Sequence, residues 1–222
     1  MDELIKFLKD KYIEDIVAPL ELHKLIIFCG FVGTLSLPSK DDYLGSIWLN
    51  IGSINIKTIL DPDSNIWSEI TVFQILLSFL LTLFMSPVYS RLKSDFFQVF
   101  SKIQNIDAYL SRLVSRIRGS LTGNKAFDLI LVKDISKDLN TRKKKLIRFH
   151  VWGEICITCI VISVIGLAQR VNTIDFVVAI IFLCTVIFIQ WRAYLYYLEK
   201  VVPVALPEKI LRDGGFERES EY

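Results

Sequence analysis

The cysteines and histidines are the residues of this sequence best suited to metal or redox chemistry. All four cysteines lie within apolar runs: Cys29, Cys156, Cys159 and Cys184. The second and third have the C-x-x-C spacing of metal and redox sites, but only His23 and His150 could add imidazole ligands. We therefore interpret the cysteines as small buried side chains. The sequence also contains no G-x-S-x-G, H-E-x-x-H, Walker A or G-x-G-x-x-G motif. We expect no catalytic, cofactor-binding or metal-binding residue, and no enzyme activity.

Glu154 is the one acidic residue that lies clearly inside an apolar run. A charge within a membrane is costly and usually marks a function or a charged partner. Arg192 ends the neighbouring apolar run, and the short loop between the two runs makes them antiparallel, so both residues are expected at a similar depth. We predict a Glu154–Arg192 ion pair that holds two helices together. A proton relay through Glu154 is the alternative.

A polar stripe runs along another apolar segment. Its members recur every four residues and therefore share one face of a helix: Gln74, Ser78, Thr82 and Ser86. In a membrane, such a face hydrogen-bonds to other helices or lines water. The stripe predicts packing within an oligomer, with a pore as the alternative.

A basic cluster lies directly before the third apolar segment. It consists of Arg142, Lys143, Lys144, Lys145 and Arg148. Such a cluster attracts anionic lipid headgroups by about 1 kcal/mol per charge, and it also fixes the orientation of a membrane protein. No aromatic residue is interleaved within the run from Arg142 to Lys145, so we expect no direct binding of nucleic acid.

Four apolar segments could place these residues in a membrane: 25–38, 70–90, 151–169 and 174–191. The first is shorter than the roughly 20 residues that span a bilayer, so a re-entrant segment is an alternative for it. The sequence predicts an all-α integral membrane protein with four transmembrane helices, a cytoplasmic helical hairpin and a small extracytoplasmic β-hairpin. The expected regions are an amphipathic helix (1–22), two spans (23–92) with an outer loop (39–69), a helical region (93–150), two spans (151–192) and a tail (193–222).

The β-hairpin is predicted from residues 47–51 and 54–59, two runs rich in isoleucine that flank Gly52 and Ser53. A two-residue connection that begins with glycine is typical of a type II′ hairpin turn.

The helical region is predicted from an apolar seam with alternating spacings of three and four residues: Phe96, Val99, Ile103, Ile106, Leu110, Leu113 and Ile117. This heptad pattern predicts that the second span continues into the cytoplasm as one helix. A second helix at about 127–149 should return to the membrane, after a turn at 122–124. We expect the seam to bind a partner or another copy of the chain.

The lysines and arginines predict the orientation of the chain. In the four-span arrangement, residues 1–24 hold 4 of them, the 91–150 block 14 and the tail 5, whereas the two outer loops hold only 3. The positive-inside rule then places both termini in the cytoplasm. The hydrophobic fraction of 52% supports a membrane protein, and we expect the bacterial inner membrane as its location.

This combination of four spans, a cytoplasmic helical block at 91–150 and no catalytic motif resembles the membrane subunit of Kiwa-type anti-phage defence systems. The resemblance is one of architecture and covers the whole chain. It implies a homo-oligomer that senses perturbation of the membrane by phage and acts through a soluble DNA-binding effector.

The leading functional hypothesis is a non-enzymatic membrane sensor or scaffold that oligomerises and docks a soluble cytoplasmic effector. Two alternatives have the same size and number of spans. One is a pore-forming effector that depolarises the cell, and the other is an immunity protein against a pore-forming toxin.

The predicted topology can be tested by cysteine labelling in intact cells, in a chain whose own cysteines are replaced. A cysteine at Ser46 or Asn172 should react with a membrane-impermeant maleimide, and a cysteine at Ser120 should not. Labelling at Ser120 would contradict the four-span arrangement.

Overall fold

The computed structural model describes residues 22–36, 45–53, 70–120, 125–169 and 172–206. All regular structure in these ranges is helical, which confirms the all-α prediction. The helices are α1 (Leu22–Ser36), α2 (Ile47–Ser53), α3 (Val72–Ile103), α4 (Ile106–Ser120), α5 (Lys125–Gln169) and α6 (Thr173–Tyr196). The predicted amphipathic helix at 1–22, most of the loop at 39–69 and the end of the tail lie outside the described residues.

Three of the helical segments are long and apolar enough to cross a membrane: Val72–Ile103, Leu139–Gln169 and Thr173–Leu206. Each overlaps one of the last three predicted spans. The first predicted span corresponds to α1, which has 15 residues and is therefore about 22 Å long, compared with a hydrocarbon core of about 30 Å. The described residues thus contain three candidate spans and one shorter apolar helix.

The predicted β-hairpin is wrong in its first run, because residues 47–53 form α2. Its second run lies outside the described residues. The isoleucines at 47 and 51 favour a strand, but a buried carboxylate from another helix accepts the first N–H group of α2 and stabilises a helix instead. Ser46 is fully buried, so the exposed Thr173 is the better labelling position for the topology test.

The chain forms two compact units. The first, which we call the membrane unit, is made of Ala18–Leu92 and Val151–Ile189. The second, the charged unit, contains Lys93–His150 and the chain from Gln190 onwards. Helices α3, α5 and α6 contribute residues to both units without interruption. The predicted second helix at 127–149 and the third predicted span are therefore a single helix of 45 residues, about 68 Å long.

Exposed large hydrophobic side chains are concentrated in the membrane unit. Among the described residues, all but two of them belong to it, and the two exceptions are Val99 and Ile103. On α3 the exposed set includes Phe73, Leu76 and Phe84. Such exposure is unfavourable in water and neutral in lipid. The surface of the membrane unit is therefore suited to lipid contact.

The charged unit has a conventional hydrophobic core in which aromatic rings meet at steep angles. The rings of Phe97 and Tyr194 are 5.4 Å apart, and those of Phe100 and Trp191 are 5.0 Å apart. Ile106 and Leu110 of α4 are buried in the same core. These aromatic residues therefore hold the charged unit together.

The predicted seam is interrupted between α3 and α4. Asn105 has a φ of 46°, in the left-handed region, and its carbonyl oxygen accepts the first hydrogen bonds of α4. The break changes the helix face that is buried. Before it, Phe97 and Phe100 are buried, whereas Val99 and Ile103 are exposed. The prediction of one helix through the whole seam is wrong, because asparagine ends α3 in a C-terminal capping conformation.

Asn105 generates a stability prediction. Asn105→Gly should leave the detergent-solubilised protein as stable as the wild type, since glycine adopts positive φ without steric cost. Asn105→Val should destabilise it by about 1–2 kcal/mol, because a branched Cβ clashes in the left-handed region. The measurement is the midpoint of thermal aggregation. Gln104→Val, at an exposed neighbour with ordinary φ, is the matched control, and equal loss in both valine variants would refute the backbone argument.

Candidate functional site: the buried polar groups of the membrane unit

Glu154 lies at the centre of a cluster contributed by three helices. Its Oε2 atom is 3.2 Å from Nε2 of His23 on α1, and its Oε1 atom accepts a 2.9 Å hydrogen bond from the Ser86 hydroxyl on α3. The side chains of His23 and Glu154 are only 8% and 11% exposed. We call these three residues the Glu154 cluster. It brings a carboxylate, an imidazole and a hydroxyl together inside the membrane unit.

The structure gives Glu154 partners different from the one predicted. Arg192 belongs to the charged unit, its side chain is exposed, and it is not among the described partners of the carboxylate. The Glu154–Arg192 prediction considered only the two helices joined by a short loop. The partner that the carboxylate has instead, His23, is 131 residues away in the sequence. The described contacts of the Glu154 carboxylate therefore differ from the predicted ion pair with Arg192.

The predicted polar stripe of α3 faces the interior of the membrane unit. Gln74 and Thr71 form a reciprocal pair of hydrogen bonds at the start of α3, which is a capping box. The Gln74 amide also donates to the carbonyl oxygen of Leu35 near the end of α1. Ser78 and Thr82 are buried and donate to carbonyl oxygens one turn earlier. The stripe therefore caps and packs helices within one chain.

A second buried carboxylate, Asp175, was not identified from the sequence. It is fully buried and accepts hydrogen bonds from the Ser46 hydroxyl at 2.6 Å and from the Ile47 N–H at 3.3 Å. It therefore occupies the N-terminus of α2, where the helix dipole favours a negative charge. The available signal was an acid within the last predicted span, since a charge in a span usually marks a partner.

The backbone of α5 passes close to α2 and to the Asp175 side chain at Gly166. A Cβ added at Gly166 would lie 3.0 Å from the Asp175 carboxylate and 3.2 Å from the Ile47 Cβ, so a larger residue there would require these neighbours to shift. Asn172 caps α6 through the Ile174 N–H and donates to the carbonyl oxygen of Gly45. Trp48 of α2 donates its indole N–H to Ser163 of α5 at 2.8 Å. These contacts fix α2 on the loop and helices that follow Glu154.

No family model, no curated protein and no solved structure matches this chain. Its chemistry is therefore inferred from the described side chains. Among them, no group of three His, Cys, Asp or Glu residues is placed to hold a metal ion. Cys156 and Cys159 both lie on α5. The Glu154 cluster can hold three helices together through a carboxylate, an imidazole and a hydroxyl, and Asp175 can hold a helix terminus.

The predicted basic cluster is partly engaged within the charged unit. Arg142 donates to the carbonyl oxygen of Lys200 at 2.6 Å, and the Lys145 ammonium lies 5.1 Å from the centre of the Tyr196 ring. Lys143 is half-buried, whereas Lys144 and Arg148 are exposed. The exposed members remain candidates for lipid headgroups, and Arg142 has a structural contact that the sequence did not reveal.

That contact lies at a π-helical turn at Tyr197–Val201, after α6. Such a turn shifts the backbone hydrogen bonds and frees carbonyl oxygens. Tyr109 of α4 donates to the Leu198 carbonyl oxygen at 2.9 Å, beside the one taken by Arg142. Burial raises the pKa of the Tyr109 hydroxyl above its usual value, Glu199 raises it further, and Arg116 opposes the change. The hydroxyl therefore stays protonated and keeps donating.

The seam residues are distributed between the core and the surface of the charged unit. Ile106 and Leu110 are buried, while Phe96 and Leu113 are partly buried against the core. Val99 and Ile103 are 52% and 66% exposed. The side chain of Ile117 lies outside the described part. Among the described side chains of the seam, this exposed pair is the portion most accessible to another molecule.

Asp175 generates a prediction about α2. Asp175→Ala should destabilise the protein by about 1–3 kcal/mol, because the buried Ser46 hydroxyl and Ile47 N–H lose their acceptor. Asp175→Asn should cost less, since its amide oxygen can still accept. Thermal aggregation in mild detergent measures both. Asp95→Ala, which removes an exposed carboxylate of the charged unit, is the control and should be neutral. If the Asp175 variants match it, the carboxylate does not hold α2.

Proposed function

We propose that this protein is a non-enzymatic, multi-pass membrane sensor or scaffold that docks a soluble cytoplasmic effector on the exposed side chains of Val99 and Ile103. These two residues are the only exposed large hydrophobic side chains among the described residues of the charged unit. They are four residues apart on α3 and therefore share one face. This observation carries the docking proposal.

The surroundings of the pair support docking. Exposed apolar groups on the membrane unit are suited to lipid, but the charged unit has a polar surface with exposed Gln98 and Lys102 beside the pair. The free energy falls when another molecule covers an apolar pair in that setting, because apolar surface is removed from water. Burying the exposed part of each side chain is worth on the order of 1 kcal/mol. Because α3 also forms part of the membrane unit, a bound effector would be held directly on a transmembrane helix.

The proposed orientation of the protein in the membrane follows from the distribution of its lysines and arginines. With α1 counted as the first of four spans, both termini and the charged unit lie in the cytoplasm of a bacterium, and the protein resides in the inner membrane. Homo-oligomerisation, phage attack as the stimulus and a role in phage defence come from the architectural resemblance. The pore alternative has less support, because the hydroxyls of Ser78 and Thr82 are buried and donate to their own helix.

Site-specific photocrosslinking in the native cells tests the docking surface. A photoreactive residue at Ile103 should form an adduct with one soluble protein, and a photoreactive residue at exposed Gln98 of the same helix should not. Val99→Asp should reduce the adduct by at least about tenfold, because a charge would have to be buried at the contact. Gln98→Asp is the matched charge control and should have no effect.

Fractionation supplies the second criterion. The crosslinked protein should be found with the membrane in wild-type cells and in the soluble fraction in Val99→Asp cells, while this chain stays in the membrane in both. Adducts of the chain with itself would identify a self-association face and refute effector docking. Equal adducts from Ile103 and Gln98 would refute a specific surface.

A further inference from the structure

Helix α1 lies antiparallel to α3, and two polar contacts fix the alignment of the two helices. Near the start of α1, His23 and Ser86 of α3 both contact the Glu154 carboxylate. Near the end of α1, the Gln74 amide of α3 donates to the Leu35 carbonyl oxygen. The two contact residues of α1 are 12 residues apart, and so are those of α3. The contacts therefore define one register along the whole of α1.

This register shows on which side α1 is short. The last residue of α1, Ser36, is level with Phe73, the second residue of α3, so the two helices coincide at that end. On the other side, Lys24 is level with Met85. The first charged residue of α3 is Arg91, six residues further on. Lys24 therefore lies about 9 Å deeper in the membrane unit than Arg91, measured along α3.

The lipid-facing side of α1 begins directly at this lysine. Leu25 and Ile26 are more than half exposed, and Lys24 itself is half-buried. Among the described residues, no acidic side chain forms an ion pair with Lys24. An ammonium group at such a depth is costly in hydrocarbon. It is stabilised when its four-carbon stem snorkels towards the surface and when the bilayer thins around it.

We propose that Lys24 binds phosphate groups of lipid headgroups that are drawn into the membrane beside the start of α1, so that the leaflet on the Arg91 side is thinner at α1 than at α3. The lysine ammonium is a compact point charge that binds phosphate. An apolar stretch shorter than the bilayer thins the surrounding lipid. The proposal rests on α1 being one of the four proposed spans, and it is independent of the docking surface at Val99 and Ile103.

The headgroup site makes α1 dependent on the thickness of the leaflet. In a thick bilayer the headgroups must descend further to reach Lys24, whereas in a thin bilayer they already lie close to it. The uncharged part of α3 extends to Arg91 and needs no such adjustment. A stimulus that changes leaflet thickness therefore acts on α1 before it acts on α3, which gives the proposed sensor a lipid-dependent element.

Spin labels at matched levels measure the local depth of the leaflet. The register supplies two pairs of lipid-facing positions, Leu25 with Phe84 and Ile26 with Leu83, whose side chains are all between 54% and 63% exposed. The four native cysteines are replaced by alanine. Each position is then labelled in the full, untagged chain, in vesicles of dioleoyl phosphatidylglycerol and phosphatidylethanolamine. Oxygen and a water-soluble nickel chelate report the depth of a label, and a nickel chelate attached to lipid headgroups reports how close the headgroups are.

Each label on α1 should lie at least about 4 Å shallower than its partner on α3, which is less than half of the shortfall along α3. The headgroup-attached nickel should also relax it more strongly. Lys24→Leu should abolish both differences, because no ammonium remains to attract phosphate. Lys24→Arg keeps the charge and is the matched control that should retain them. In vesicles with shorter myristoyl chains, both differences should shrink in the wild type.

Four results would overturn the proposal. Equal depths within both pairs would mean that the leaflet is flat. Shallow labels that Lys24→Leu leaves unchanged would assign the deformation to another group, and differences that persist in myristoyl vesicles would exclude thinning. A response to the water-soluble nickel alone would indicate a water-filled indentation without bound headgroups. Labels on α1 that behave as in bulk water would instead contradict the four-span arrangement itself, a result distinct from equal depths.

Discussion

A carboxylate inside a bilayer can use only the donors that its own chain supplies, since lipid tails offer none. The membrane unit contains two buried carboxylates, and the donors of each come from outside its own helix. Glu154 has the His23 imidazole and the Ser86 hydroxyl. Asp175 has the Ser46 hydroxyl and the Ile47 N–H. Both short helices of this unit, α1 and α2, are thus attached to the long ones through a buried acid.

The sequence was sufficient for features that depend on composition over many residues. Three predicted spans correspond to helices long enough to cross a membrane, because an apolar run of that length has few alternatives. It was insufficient for features decided by one distant contact. The partner of Glu154 comes from α1, far along the chain, and α2 is a helix rather than a strand because Asp175 caps it. Local propensity contains neither piece of information.

The seam failed for a different reason. Part of the predicted apolar face is buried, since Ile106 and Leu110 lie in the core of the charged unit. One residue, Asn105, adopts a left-handed conformation and changes the face that the helix buries. Asparagine tolerates that conformation better than most residues, so Asn105 was a sequence signal for a helix break. The heptad spacing of seven apolar residues was a stronger signal for one continuous helix. The π-helical turn at Tyr197–Val201 had no comparable signal.

The attachment of α1 has a consequence for how the membrane unit can change shape. Ser86 and Glu154 lie on α3 and α5, which continue into the charged unit and contribute to its hydrophobic core through Phe97 and Leu146. These two helices cannot shift far without disturbing that core. The described non-covalent contacts of α1 lie along one face, which carries His23, Ile27, Phe31 and Thr34. A change of shape in the membrane unit that keeps the core of the charged unit intact must therefore preserve the packing of α3 and α5.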